Sequence, residues 1–180
     1  MKNKVVIFCC ILFVAFNVNA QCANDSIVYW SESRKLHWND FQGKIPISYG
    51  KDRAGSSLSI SPKYNYGDVR VLCYFDIMTS WKRDTSLFLL QHEQLHFDIF
   101  ELYARKIRKE VSFLTNCKKL NFEKFNNVTD SLFRECGLTN ELYDQETSHS
   151  LIRVKQIEWE KKIAKDLETL KEYEVDYSDY

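Results

Sequence analysis

The sequence predicts an α+β domain, a small N-terminal antiparallel sheet followed by a long helix and two further helices. Three observations carry this. Residues 27–80 hold both prolines and four of the five glycines, among short alternating or aromatic runs. Beyond Asp84 there is no proline and only Gly137, while apolar residues recur near helical spacing. No internal repeat and no long linker divides the chain.

The strand runs are Ile27–Trp30, Ser56–Ser61 and Val69–Met78, joined by turns at Gly43, Tyr49-Gly50 and Tyr66-Gly67. In the last run Val69, Val71, Cys73 and Phe75 share one wholly apolar face. Leu87, Leu90, Leu95, Ile99, Leu102, Ile107 and Val111 predict a helix over about 85–115, capped by Asp84 or Thr85. A second helix is expected from about 121 to Cys136, closed by Gly137. A third, with Leu151, Val154, Ile157, Ile163, Leu167 and Leu170 as its stripe, runs to about Tyr173. The acidic tail from Glu174 is expected to fray.

Residues 1–20 read as a signal peptide. Lys2 and Lys4 precede an apolar stretch of about 14 residues, short of the roughly 20 a spanning helix needs. Cleavage after Ala20 leaves residues 21–180 as a single exported domain, periplasmic or extracellular, with no transmembrane span. A lipid anchor at Cys22 is the alternative, and Gln21 suits it poorly because a small residue is wanted there. The 25 basic and 25 acidic residues balance, and no basic stripe marks a nucleic-acid partner. The basic stretch Arg105 to Lys109 reads as a solvated helix face. Of the four cysteines outside the leader, Cys117 and Cys136 are the preferred disulfide, a staple between successive helices. No C-x-x-C pair points to a cysteine zinc site.

The chemistry lies in His92-Glu93-Gln94-Leu95-His96. Residues i and i+4 stack on one helix face, so both imidazoles reach one metal ion. Glu93, about 100° round, reaches a water on that metal rather than the metal itself. Zinc lowers the pKa of such a water to about 7, and a neighbouring carboxylate takes its proton. A third protein ligand is needed. Glu101 lies about 180° from His92 and Asp98 is also off the face. His37, in the strand half, is expected to be structural. His149, in the polar stretch Tyr143–Ser150, is the preferred third ligand, and Asp144 its rival or an orienting partner. Tyr143 is a candidate oxyanion donor or core aromatic. Tyr103, seven residues after His96, lines the site or packs.

Several of these segments together resemble the DUF922 family of predicted secreted bacterial zinc-dependent proteases. The resemblance runs through Leu36-x-Trp38-x-Asp40-Phe41-x-Gly43, Phe75-Asp76 and Ser80-Trp81. It continues through Leu89-Leu90-x-His92-Glu93-Gln94-x-His96-Phe97-Asp98-Ile99, then Glu101 and Ala104-Arg105. It ends in Tyr143-Asp144-x-x-Thr147-x-His149 and Gln156-x-x-Trp159. It implies a zincin-like hydrolase fold, one zinc ion on His92 and His96, Glu93 as the catalytic carboxylate, and it supports His149 as third ligand. The family has glycine after that histidine where this chain has Ser150. The expected activity is that of a metallopeptidase on a peptide or cell-envelope amide. The alternatives are a non-catalytic exported zinc-binding protein and a structural or interaction domain.

Overall fold

The longest strand organises the sheet. In the computed structural model, which describes residues 26–47, 52–65 and 68–177, β4 (Asp68–Asp76) lies between β1 (Ile27–Tyr29) and β3 (Leu58–Asn65). Both pairings are antiparallel, with Val28 opposite Phe75 and Ile60 opposite Cys73. A separate two-stranded ribbon joins β2 (Ala54–Gly55) to β5 (Trp81–Lys82). Three helices follow, α1 (Leu87–Asn116), α2 (Phe122–Thr147) and α3 (Arg153–Thr169). The α+β expectation holds. The expected signal peptide, residues 1–20, and the predicted turns at 49–50 and 66–67 lie outside the described residues. No described helix is long and apolar enough to cross a membrane.

The alternation in β4 does what its pattern requires. Val71, Cys73 and Phe75 turn inward and meet Phe97, Ala104, Ile107 and Val111 of α1 in one core. The opposite side of α1 supplies Leu95, Ile99, Leu102 and Tyr103 to a second core, closed by Cys136 and Tyr143 of α2 and Trp159 and Ile163 of α3. The helix α1 is thus buried on two sides, between sheet and helices. Gly43 marks a close approach more than a turn. Its N–H donates to Ser80 O at 2.7 Å, and a Cβ there would meet backbone atoms of Thr79 and Ser80 below 3 Å.

Four sequence expectations need correction. First, α1 is capped at Ser86, whose side chain makes no cap bond, while Asp84 accepts the Ser86 N–H at 2.9 Å. Second, α2 does not stop at Gly137 but continues ten residues to Thr147. Glycine costs only about 1 kcal/mol in a helix interior. The buried stripe Phe125, Thr129, Cys136, Tyr143, Thr147 carries on through it, and packing outweighs that cost. Third, Leu151, Val154 and Ile157 are exposed; of the expected stripe Ile163 and Leu170 are buried, and α3 adds Gln156 and Trp159 to that face. Fourth, Cys117 and Cys136 are free thiols, as is Cys73. Cys117 sits at the α1–α2 turn, whereas Cys136 is fourteen residues into α2, roughly 21 Å along its axis and beyond disulfide reach.

The basic stretch and the acidic tail also differ from expectation, for one shared reason. Glu101 is fully buried, and both Arg105 and Arg108 turn inward to it, at 3.0 and 2.8 Å. The tail completes this cluster. Glu174 pairs with Arg105 at 2.9 Å, and the Tyr177 hydroxyl accepts from Arg108 at 2.6 Å and from the Cys73 N–H at 3.1 Å. Tyr177 also stacks on Tyr29, with ring centroids 4.9 Å apart. Charges this deep are retained only when paired, so the segment through Tyr177 is held where composition alone suggests fraying.

Removing one member of such a cluster strands the others. Glu101→Ala is expected to cost about 3–5 kcal/mol in urea unfolding; a loss below about 1 kcal/mol would contradict the clustering. Thiol titration of the native protein should label the exposed Cys117 at once and Cys73 and Cys136 only on unfolding. Burial holds the Cys73 thiol well above its usual value and pushes that of Cys136 up to about 12.

Candidate metal centre

His92 and His96 lie one turn apart on α1, near its start, and present Nε2 atoms 3.2 Å from each other. Asp144, near the end of α2, brings Oδ1 to 3.0 Å from His92 Nε2 and 3.1 Å from His96 Nε2. Tyr143 fixes the two rings from beneath. It stacks on His92 at 4.6 Å and meets His96 edge-on at 4.9 Å, and Trp159 packs behind it at 5.5 Å.

The three donor atoms form a near-equilateral triangle. Bonds of about 2.0–2.1 Å at tetrahedral angles put neighbouring donors about 3.3 Å apart. The observed edges of 3.0, 3.1 and 3.2 Å are close to one face of such a tetrahedron. Two imidazoles and a carboxylate are an ordinary donor set for zinc. These are the residues among those described that are grouped to hold a metal ion. The three residues line a cleft of about 620 Å³, together with Glu93, Ser56, Gly55, Trp81, Leu89 and Phe100 among others.

The electrostatics follow from shared burial. Burial raises the pKa of Asp144, but hydrogen bonds from both histidines outweigh it and hold the carboxyl well below its usual range. Burial prevails at His92 and lowers its pKa in spite of the Asp144 bond. At His96 burial pulls the same way, but Asp144, Glu93 and Asn140 together hold the value above that of a free imidazole.

Glu93 is buried on the cleft wall, and the Ser56 hydroxyl donates to its Oε2 at 2.6 Å. Ser56, between β2 and β3, carried no sequence signal. Asn140 is the other residue the sequence reading missed; its Oδ1 lies 2.7 Å from His96 Nδ1. Its signal was spacing, four residues before Asp144 on the same helix face, hidden by taking Gly137 for the helix end.

Of the two candidate third ligands, Asp144 is the one that meets both imidazoles. The His149 side chain is 75% exposed, with Nδ1 3.5 Å from Asp144 Oδ1, at the cleft edge. The polar stretch before α3 is therefore the last turn of α2 plus a tight reversal. Ser148, His149 and Ser150 have φ of 50°, 50° and 69°, all left-handed. Glycine adopts such values freely, which gives a physical reason for the family's glycine where this chain has Ser150. Here Arg53 holds the reversal, bonding the Ser150 hydroxyl and the His149 carbonyl, the latter at 3.3 Å. Tyr143 is fully buried, with its hydroxyl turned to the His92 carbonyl at 3.5 Å, the placement of a core aromatic. Tyr103 bonds Thr139 at 2.7 Å and is a packing residue between α1 and α2. Glu101 and Asp98 point away from the site, as helix geometry requires; Asp98 accepts from Trp30 Nε1 and Gln94. His37 lies in the 3-10 turn region, where its N–H donates to Asp40.

Residues 75–150 match the family model DUF922. That family is described as a bacterial protein of unknown function. The matched segment runs from the end of β4 to the left-handed reversal and holds His92, Glu93, His96, Asn140, Asp144 and His149. No curated protein and no solved structure matches the chain.

The reversal makes a direct test possible. Ser148 is the C-cap of α2 and has no special need of a side chain at φ 50°. Ser148→Gly should stabilise the protein by about 1 kcal/mol, seen as a melting temperature a few degrees higher. An unchanged or lower value would argue against left-handed strain at this position.

Proposed function

We propose that the protein is an exported zinc-dependent hydrolase acting on peptide or cell-envelope amide bonds. The observation that carries this reading is the triangle of His92 Nε2, His96 Nε2 and Asp144 Oδ1, facing an open cleft with Glu93 on its wall. A structural zinc site is closed by four protein ligands; a catalytic one keeps a position open.

Three residues would hold the metal. His92 and His96 come from one face of α1, and Asp144 reaches across from α2, with His149 close enough to Asp144 to compete for that place. A zinc ion bound there supplies a Lewis acid that lowers the pKa of water and polarises an amide carbonyl. Glu93 is the general base in this reading. Its carboxylate accepts a proton from the attacking water and returns it to the leaving amine nitrogen. Ser56 restrains one carboxylate oxygen and leaves the other for that transfer. The apolar walls, Leu89, Trp81 and Phe100, exclude bulk water around the reacting groups.

Metal analysis of the purified protein beside two variants tests the site. Near-stoichiometric zinc is expected in the parent. Asp144→Ala should bind zinc more than about 100-fold more weakly, beyond the 10–100-fold typical of an outer partner. His149→Ala should bind within about tenfold of the parent; the reverse ranking would make His149 the third ligand. A folded parent that takes up no zinc when it is offered would sink the hydrolase reading. On any amide substrate the parent cleaves, Glu93→Gln should lose about a hundred- to ten-thousand-fold in kcat while keeping its zinc.

A further inference from the structure

The two histidines differ on the side away from the metal site. His92 Nδ1 is buried and has no hydrogen-bond partner among the described residues. His96 Nδ1 faces Asn140 Oδ1 at 2.7 Å. The Asn140 amide is itself oriented, because its Nδ2 donates to the Cys136 carbonyl at 2.9 Å. A carbonyl can only accept, so the amide nitrogen must face Cys136 and the amide oxygen must face His96. That oxygen also can only accept, so His96 Nδ1 must carry a proton. With one N–H fixed at Nδ1, the neutral form of the ring carries its lone pair on Nε2, the atom that points to Asp144 and His92, and the Nε2–H that hydrogen-bonds Asp144 belongs to the doubly protonated ring.

From this chain of donors and acceptors we infer that Asn140 is the positioning residue of the metal site, selecting the His96 tautomer that can bind a metal and holding the ring at its angle. The inference rests on the metal-site reading above. The direction of each bond is set by the Cys136 backbone carbonyl at the far end. Asn140 and Asp144 are four residues apart on α2 and so act on the same histidine from one helix face, Asn140 on Nδ1 and Asp144 on Nε2. One helix thus supplies both a ligand and the partner that prepares another ligand. His92 has no such support, so His96 is the ligand on which an outer contact can act.

The test is zinc affinity by competition with a chromophoric chelator, with thermal unfolding of each metal-free protein alongside. Asn140→Leu removes the acceptor and should weaken zinc binding 10–100-fold. Asn140→Asp restores an acceptor for Nδ1 and should bind within about threefold of the parent, as carboxylate partners of zinc-bound histidine do. The metal-free melting temperatures of both variants should stay close to that of the parent, which a purely structural role would not allow. Should Asn140→Leu fail to fold, Asn140→Ser, too short to reach Nδ1, repeats the measurement. Parent-like zinc affinity in Asn140→Leu or Asn140→Ser, or equal weakening in Asn140→Asp, would overturn the inference while leaving the metal site intact. A parent that binds no zinc would overturn the metal-site reading itself, and with it the inference.

Discussion

One carboxylate oxygen within about 3 Å of two imidazole nitrogens is the constraint on which this structure turns. Asp144 Oδ1 meets His92 and His96 only if α1 and α2 keep a fixed register over the length of their contact. The α1–α2 interface supplies that register through Tyr103 against Thr139, Cys136 in the second core, and Tyr143 beneath both rings. Without a metal, the same atoms are held by hydrogen bonds at nearly the spacing a tetrahedral ion demands. The folded chain therefore bears most of the ordering cost of the site before any ligand arrives.

A buried charge cluster performs the matching task on the other side of α1. Glu101 is about two and a half helical turns past His92, and its two arginines reach Val71 O in the sheet and the carbonyls of Leu167 and Tyr173. An uncompensated charge at that depth costs several kcal/mol, so the positions of sheet, α1 and tail are strongly coupled. The α1 helix cannot slide or rotate without exposing that cost, and the histidines keep their aim. Site geometry is in this sense set as much by Glu101 as by its immediate neighbours.

Much of this was legible in sequence because it depends on local periods. Alternation placed Val71, Cys73 and Phe75 inward, and helix geometry put His92 and His96 together while turning Glu101 and Asp98 away. The failures share a physical cause. Gly137 and the arginines were judged by intrinsic preference, for turns and for solvent, and tertiary packing overrode both. The stretch 143–150 looked like a loop because it is polar, yet Asp144, Ser148 and His149 within it line the site. Trp159 and Gln156 were invisible as a buried face because one is a partner of Glu146 and the other of Phe88 O, contacts no single-chain pattern encodes. Ser56 could be found only in three dimensions.

The strap formed by residues 173–177 has a consequence in time. Arg108 waits for partners 65 and 69 positions further along the chain. At about 5–20 residues per second, synthesis delivers Tyr177 roughly 3–14 s after Arg108 has been made. For that interval the nascent helix carries Glu101 and its arginines without the groups that cap them, and a compact state that buries them is penalised. A compact state that buries this cluster is therefore favoured only once the distal segment is available to complete it.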